Sequence, residues 1–328
     1  MDIRTLADDL LEATVVGSFT RLGPAIRGRL FAWSPPPAGV MVGRTVLVTG
    51  PTSGLGLQTA RSLADLGARV VLAGRSEVRL EAVRDELMAA HGEDRFPRLV
   101  VDMASLASVR AAVEAVLATE TRLDALVDNA GAIYPRRTIS PDGIEATLAT
   151  MVVGPFALVA GLLPLLERTP TARVVSVTSG GMYAQRLDLS DLGSSRQQYD
   201  GTRAYARAKR AQVTLMREWA RRQRGAVTFS SMHPGWADSP GLAASLPGFY
   251  RLMTPLLRSP AEGVDTIVWL VADPAATDTD GRLYLDRRPR PFDRVPATRL
   301  SGAERRQLWD TVVALAGVPD PMPRPPGL

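Results

Sequence analysis

A chain of 328 residues with 45% hydrophobic and 22% charged side chains is long and apolar enough to bury a full core, which excludes a disordered chain. The absence of cysteine excludes disulfides and thiolate chemistry, and two histidines far apart, His91 and His233, exclude a histidine-rich centre, so no metal is expected. A net charge of +5, carried by scattered arginines with neither a basic run nor interleaved aromatics, argues against nucleic acid as a partner.

At the N-terminus, Asp2, Asp8 and Asp9 stand where a signal peptide carries positive charge. Together with the lack of cysteine this fits a cytoplasmic, reducing setting. Ile3, Leu6, Leu10, Leu11, Val15, Phe19 and Leu22 recur near the helical period, and Arg21, Arg27, Arg29, Phe31 and Trp33 follow. One reading is a helix packed back onto the main domain. The other is an interfacial helix that gives residues 1–33 a peripheral membrane contact. The proline-rich stretch 34–39 is a linker, so residues 1–39 form an extension ahead of a main domain at 40–290.

From residue 44 the pattern alternates without a break. Strands are expected at 45–49, 70–73, 99–102, 125–129, 174–178, 227–232 and 282–285. Helices are expected near 54–67, 77–90, 104–119, 141–168, 202–224 and 259–272, the last opened by a capping box at Ser259. Seven short apolar strands alternating with helices imply an α/β fold: a single Rossmann-type, doubly wound parallel sheet covered on both faces. Residues 146–166 carry no charge and are long enough to span a bilayer. Gly154, Pro155, Gly161 and Pro164 interrupt them between two strand patterns, so a buried crossover helix is the better reading. Helices 141–168 and 202–224 are apolar enough to pair across a two-fold, so a homodimer or homotetramer is expected. A last segment, 291–328, holds one helix at 301–316 and a proline-rich tail expected to be mobile or wrapped on the surface.

Four stretches carry chemistry. The first strand runs into Thr49-Gly50-Pro51-Thr52-Ser53-Gly54-Leu55-Gly56, glycines spaced four then two, which let backbone approach a pyrophosphate at a helix N-terminus. After the second strand, the place of a ribose-binding carboxylate reads Gly74, followed by Arg75. A guanidinium there favours a 2′-phosphate, hence NADP(H) over NAD(H). Asn129, the sole asparagine, lies in Asp128-Asn129-Ala130-Gly131 at the end of the fourth strand, where a short amide can tie down neighbouring backbone. Ser179 follows the fifth strand at the same sheet edge and can hydrogen-bond a substrate oxygen. Finally Lys209, the sole lysine beside 38 arginines, stands four residues after Tyr205, one turn apart on a helix. At about 5 Å and an effective dielectric near 20 an ammonium favours the phenolate by about 3 kcal/mol. That would bring Tyr205 roughly two pH units below its usual value near 10, usable as an acid/base.

These pieces, in this order over roughly residues 42–290, resemble the short-chain dehydrogenase/reductase superfamily. Ser179-Gly-Gly-Met-Tyr183, Tyr205 to Val213, and Ser230-Ser-Met-His-Pro-Gly-Trp-Ala-Asp-Ser-Pro-Gly241 are similar to the branch of dehydrogenase/reductase family member 12 and the retinol dehydrogenases. The resemblance implies Tyr205 as proton donor, Lys209 as the group that lowers its pKa and holds the nicotinamide ribose, and Ser179 as the residue that orients the substrate oxygen. It implies Asp102 and Met103 at the adenine, Asn129, Ala130 and Gly131 along the cofactor cleft, and Pro234, Gly235, Trp236 and Ser239 at the nicotinamide. One position departs from the family: where its fourth catalytic residue is an Asn, this chain has Met151. The expected function is therefore an NADP(H)-dependent oxidoreductase interconverting carbonyl and alcohol on a lipophilic molecule, with an apolar lid from Leu242, Leu246 and Phe249. The alternative is a nucleotide-binding sensor or scaffold with little catalysis.

Overall fold

The computed structural model describes residues 2–322 apart from 93, 197 and 224; the proline-rich tail expected at the C-terminus falls largely outside the described residues. Three helices lead, α1 (Ile3–Ala13), α2 (Val15–Phe19) and α3 (Leu22–Leu30). The central alternation follows as β1 (Thr45–Thr49), α4 (Gly54–Asp65), β2 (Arg69–Gly74), α5 (Glu77–His91), β3 (Arg98–Val100), α6 (Leu106–Thr119) and β4 (Ala125–Asp128). Then come α7 (Ala146–Leu148), a π-helical turn (Ala149–Val153), α8 (Gly154–Arg168), β5 (Arg173–Val177), α9 (Gly201–Arg222) and β6 (Thr228–Met232). The chain closes with α10 (Pro240–Ser245), α11 (Pro247–Met253), α12 (Pro260–Ala272), β7 (Leu283–Leu285), β8 (Arg288–Arg290) and α13 (Gly302–Ala316).

The sheet runs β3-β2-β1-β4-β5-β6-β7-β8, parallel throughout except for β8, which pairs antiparallel with β7. This is one strand more than the seven expected. Arg288-Pro289-Arg290 carries no apolar signature, and proline is tolerated only because β8 is an edge strand. Alternate residues of each strand serve opposite layers: Val46 and Val48 pack with α4, α5 and α12, whereas Leu47 packs with α6, α8 and α9. The uncharged run 146–166 is the crossover expected of it, with Leu158, Leu162, Leu165 and Leu166 all buried. α13 packs against α8 and α9. Trp309 of α13 sits with its ring centroid 5.0 Å from Phe156 and 4.9 Å from Trp219.

The N-terminal extension does pack back, but by its polar side. The one buried residue of α1 is Asp8. Buried Arg27 of α3 donates to Asp8 at 2.7 Å, Glu12 at 2.8 Å and Asp286 at 2.6 Å. Asp286 accepts also from Arg258 at 2.6 Å, and Asp8 from Arg290 at 2.8 Å. With Arg288 on Asp8 and Arg294 on Glu12, five arginines meet three carboxylates, so each buried charge is paired. The β7–β8 turn, Asp286–Arg287, has φ of 55° and 54°, the left-handed pair that a two-residue hairpin demands. The apolar stripe of α1 faces outward instead, with Ile3 79% and Leu10 64% exposed. The period is as expected; α1 packs back by its polar face and leaves its apolar stripe outward.

Candidate active site

Every site residue of the sequence analysis lies at or behind the carboxyl edge of the sheet, where strand order switches between β1 and β4. A cleft of about 300 Å³ opens there. Gly50, Thr52, Ser53, Gly54, Leu55, Gly56, Arg75, Asp102, Met103, Asn129, Ala130, Gly131 and Ser239 all line it. Gly54 adopts φ 53°, and a Cβ on Gly56 would stand 2.0 Å from the Gly50 carbonyl oxygen. Only glycine fits such a turn, and it places the backbone that opens α4 in the wall of the cleft, with Ser239 and Pro240 beside Gly54. Asn129 Nδ2 donates to the Thr49 carbonyl at 2.9 Å and to that of Gly50 at 3.3 Å, while the Thr49 hydroxyl accepts from the N–H of Asn129 and Ala130, each at 2.9 Å. The sole asparagine therefore laces the β4 end to the glycine loop.

Arg75 has company that sequence reading missed. Arg79, one turn into α5, lines the same end of the cleft. The spacing of four was available, but Arg79 stands inside a helix like many other arginines. Tyr134 and Thr150 were also missed; they line the opposite wall, with hydroxyls 3.2 Å apart.

Ser179 follows the end of β5 and caps a 3₁₀ turn, Gly180–Ala184, accepting from the Gly181 N–H at 3.3 Å. The Ser179 hydroxyl lies close enough to Tyr205 to hold its phenol below what burial alone would give. Lys209, one turn along α9, is buried; its ammonium donates to the Val177 carbonyl at 2.8 Å and lies 5.6 Å from the Tyr205 ring centroid. The electrostatics correct the expectation drawn from spacing. Burial pushes the Tyr205 phenol up to about 12, and burial also brings Lys209 down to about 8, against the pull of Asp128. Desolvation disfavours both charged forms and is the largest cause of each shift.

Behind Lys209 is Asp128, raised by burial despite Lys209, with its Oδ2 accepting from Ser176 at 2.9 Å and Gln212 at 2.8 Å. Met151 is fully buried in the π-helical turn. Its sulfur stands 3.1 Å, and Lys209 Nζ 3.6 Å, from where a Cβ on Gly131 would project. The thioether thus occupies the ground beside the ammonium, and it accepts hydrogen bonds only weakly.

Pro234, Gly235 and Trp236 form the loop after β6, behind the cleft rather than in its wall. The Trp236 N–H donates to the Phe19 carbonyl at 2.8 Å, and Gly235 (φ 68°) has no room for a Cβ against Arg258 and Phe19. His233, preceding them, is buried between Phe19 and Tyr183, and burial with three nearby arginines holds it well below the usual 6.5.

The short chain dehydrogenase family model matches residues 44–247. The chain is 39% identical over 276 residues to human dehydrogenase/reductase SDR family member 12, covering 84% of this chain and 86% of that one. It is 34% identical over 299 residues to mouse retinol dehydrogenase 14, covering 85% and 88%. Among solved structures it resembles an uncharacterised protein of Mycobacterium paratuberculosis, 26% identical with a TM-score of 0.69, over 88% of this chain and 97% of that one.

Proposed function

The chain belongs to the short-chain dehydrogenase/reductase family and is an oxidoreductase of that family, and from that premise we propose that it reduces the carbonyl of a lipophilic small molecule with NADPH. The observation that carries the reading is the meeting of Ser179 and Tyr205, with Lys209 one turn behind, beside a glycine-cradled cleft lined by Arg75 and Arg79. The cleft fits a dinucleotide: the first N–H groups of α4 suit a pyrophosphate, and Arg75 with Arg79, without a carboxylate at Gly74, suits a 2′-phosphate. When bound, that cofactor supplies the hydride. Tyr205, protonated across the neutral range, gives its proton to the carbonyl oxygen. Ser179 donates to the same oxygen, and the charged Lys209 stabilises the tyrosinate left behind. Burial keeps Tyr205 protonated in the ligand-free site and disfavours the tyrosinate that proton donation leaves, so turnover depends on the charge of Lys209.

Three features support a lipophilic substrate. α10 and α11 bury none of their residues and leave Leu246 and Leu252 outward, so an apolar lid stands partly uncovered. Phe249 packs on Trp236 with centroids 5.0 Å apart, which ties that lid to the loop after β6. Retinol dehydrogenase 14, by its name, acts on a lipophilic alcohol. The outward row of Ile3, Leu6, Leu10, Val15 and Val16 belongs to a segment whose Arg21 N–H donates to the Leu256 carbonyl, in the turn after α11, at 3.0 Å. With Arg4, Arg21 and Arg251 exposed beside it, this face suits an anionic bilayer from which such a substrate is drawn. Vesicle sedimentation that is abolished by Leu6→Ser with Leu10→Ser supports that contact, and unchanged sedimentation removes it.

Absorbance at 340 nm with NADPH, then NADH, against lipophilic ketones, aldehydes and quinones tests the enzymatic reading. NADPH-dependent loss of signal that Tyr205→Phe abolishes is the expected result. NADPH binding with no turnover on the panel would move the reading to the binding protein of the alternative.

A further inference from the structure

We propose that Phe19 is a positioning residue of the active site, so that the N-terminal segment is part of the catalytic centre and not an appendage to it. The inference rests on the reductase reading above and adds a residue that no motif of the sequence contains. Phe19 is the buried apolar residue of a segment whose other large hydrophobics are exposed or half-exposed. Its ring lies 4.8 Å from His233 and 5.8 Å from Trp236, centroid to centroid, and it joins Met182, Tyr183 and Val213 in a small core separate from the two layers of the sheet.

The Ser179 turn and the loop behind the cleft both lean on it. On one side a Cβ on Gly180 would stand 2.4 Å from Phe19 Cε2, so the turn that Ser179 caps is in van der Waals contact with the ring. On the other side the Phe19 carbonyl accepts from Trp236 N–H at 2.8 Å and from Arg258 Nε at 3.0 Å, which fixes the 234–236 loop. Arg258 is held in turn by Asp286, the carboxylate that also pairs with Arg27. The segment therefore touches the Ser179 turn by its side chain and the loop after β6 by its backbone. Side chains that set a reacting group within a fraction of an ångström govern rate without touching substrate.

A swap of space across the Phe19–Gly180 contact tests this. Gly180 does not have a positive φ, so alanine fits its backbone and the clash is with the ring alone. Gly180→Ala is expected to lower kcat by about 10- to 100-fold. Phe19→Leu, which keeps a buried side chain but lacks the clashing atom, should cost only a few-fold. The double variant should recover most of the loss. NADPH dissociation constants from fluorescence quenching read the 234–236 side without turnover; Phe19→Ala should weaken binding several-fold where Phe19→Leu does not. Each variant is assayed below its own thermal midpoint, since a merely structural role would lower the midpoint and leave kcat and KM of the folded enzyme alone. Additive losses in the double variant, or a folded Phe19→Ala with unchanged kcat, KM and NADPH affinity, overturn the inference while the reductase reading stands. A wild type that neither binds NADPH nor reduces any carbonyl removes both.

Discussion

Arg27→Met removes the cation on which the N-terminal segment is folded. Arg27 is 0% exposed and holds Asp8, Glu12 and Asp286, whose exposures are 2%, 12% and 2%. Methionine keeps much of the volume, so the cost is electrostatic: two carboxylates stay buried with one fewer partner. Breaking a buried pair in this way costs about 3–5 kcal/mol. For 328 residues, with an unfolding entropy of about 2.1 cal/mol/K per residue, this lowers the thermal midpoint by about 4–7 °C. The comparison that isolates burial is Arg61→Met, since Arg61 pairs with Glu86 at 2.6 Å while both remain more than 40% exposed (43% and 45%). That pair is worth about 1 kcal/mol or less, a shift of no more than about 2 °C. Scanning calorimetry on the three proteins at one salt concentration decides it. Equal shifts for Arg27→Met and Arg61→Met would refute the claim that a buried network holds the segment.

Arg75→Ala and Arg79→Ala should each raise the NADPH dissociation constant by about 10- to 100-fold and leave that for NADH nearly unchanged, because each removes a charge-assisted contact to the 2′-phosphate alone; fluorescence titration reads both. His233 is held neutral in the fold, whereas the unfolded chain takes up a proton below pH 6.5. Stability should therefore fall with acid below pH 6.5 by about 1.4 kcal/mol per pH unit more steeply in the wild type than in His233→Leu, as denaturant unfolding at several pH values will show. Lys209, brought down to about 8, loses its charge above that pH, while Tyr205 at about 12 keeps its proton. kcat/KM for carbonyl reduction should then fall about tenfold per pH unit above about 8, with no further limb before about pH 10; a flat profile there would show that the Lys209 charge is dispensable.

Seven strands and the order of the motifs were legible because a parallel strand buried on both faces must be a short apolar run, and a phosphate loop must carry glycine where backbone approaches backbone. β8 was not, since its residues are two arginines and a proline whose place is set by the hairpin turn before them. The N-terminal stripe shows the limit of periodicity. Spacing says that Leu6 and Leu10 share a face, but not that Asp8, on the opposite face, finds Arg290 at the far end of the chain. The same limit applies at Tyr205 and Lys209. A spacing of four places the two groups one turn apart, yet the ammonium reaches the Val177 carbonyl and burial decides both protonation states. Phe19 carried no chemical signature at all; only its burial beside Gly180 and Trp236 marks it.

The central claim is that Tyr205 delivers the proton to the carbonyl oxygen while hydride reaches the carbonyl carbon from NADPH held in the cleft. The most direct measurement is mass spectrometry of the alcohol formed from a lipophilic ketone with NADPH deuterated at nicotinamide C4. Wild-type protein should give product with one deuterium on the carbinol carbon, and Tyr205→Phe should give none while binding NADPH with unchanged affinity. Deuterated product from Tyr205→Phe at the wild-type rate would contradict the assignment of the proton donor. Its absence from both proteins, with NADPH bound, would contradict the enzyme.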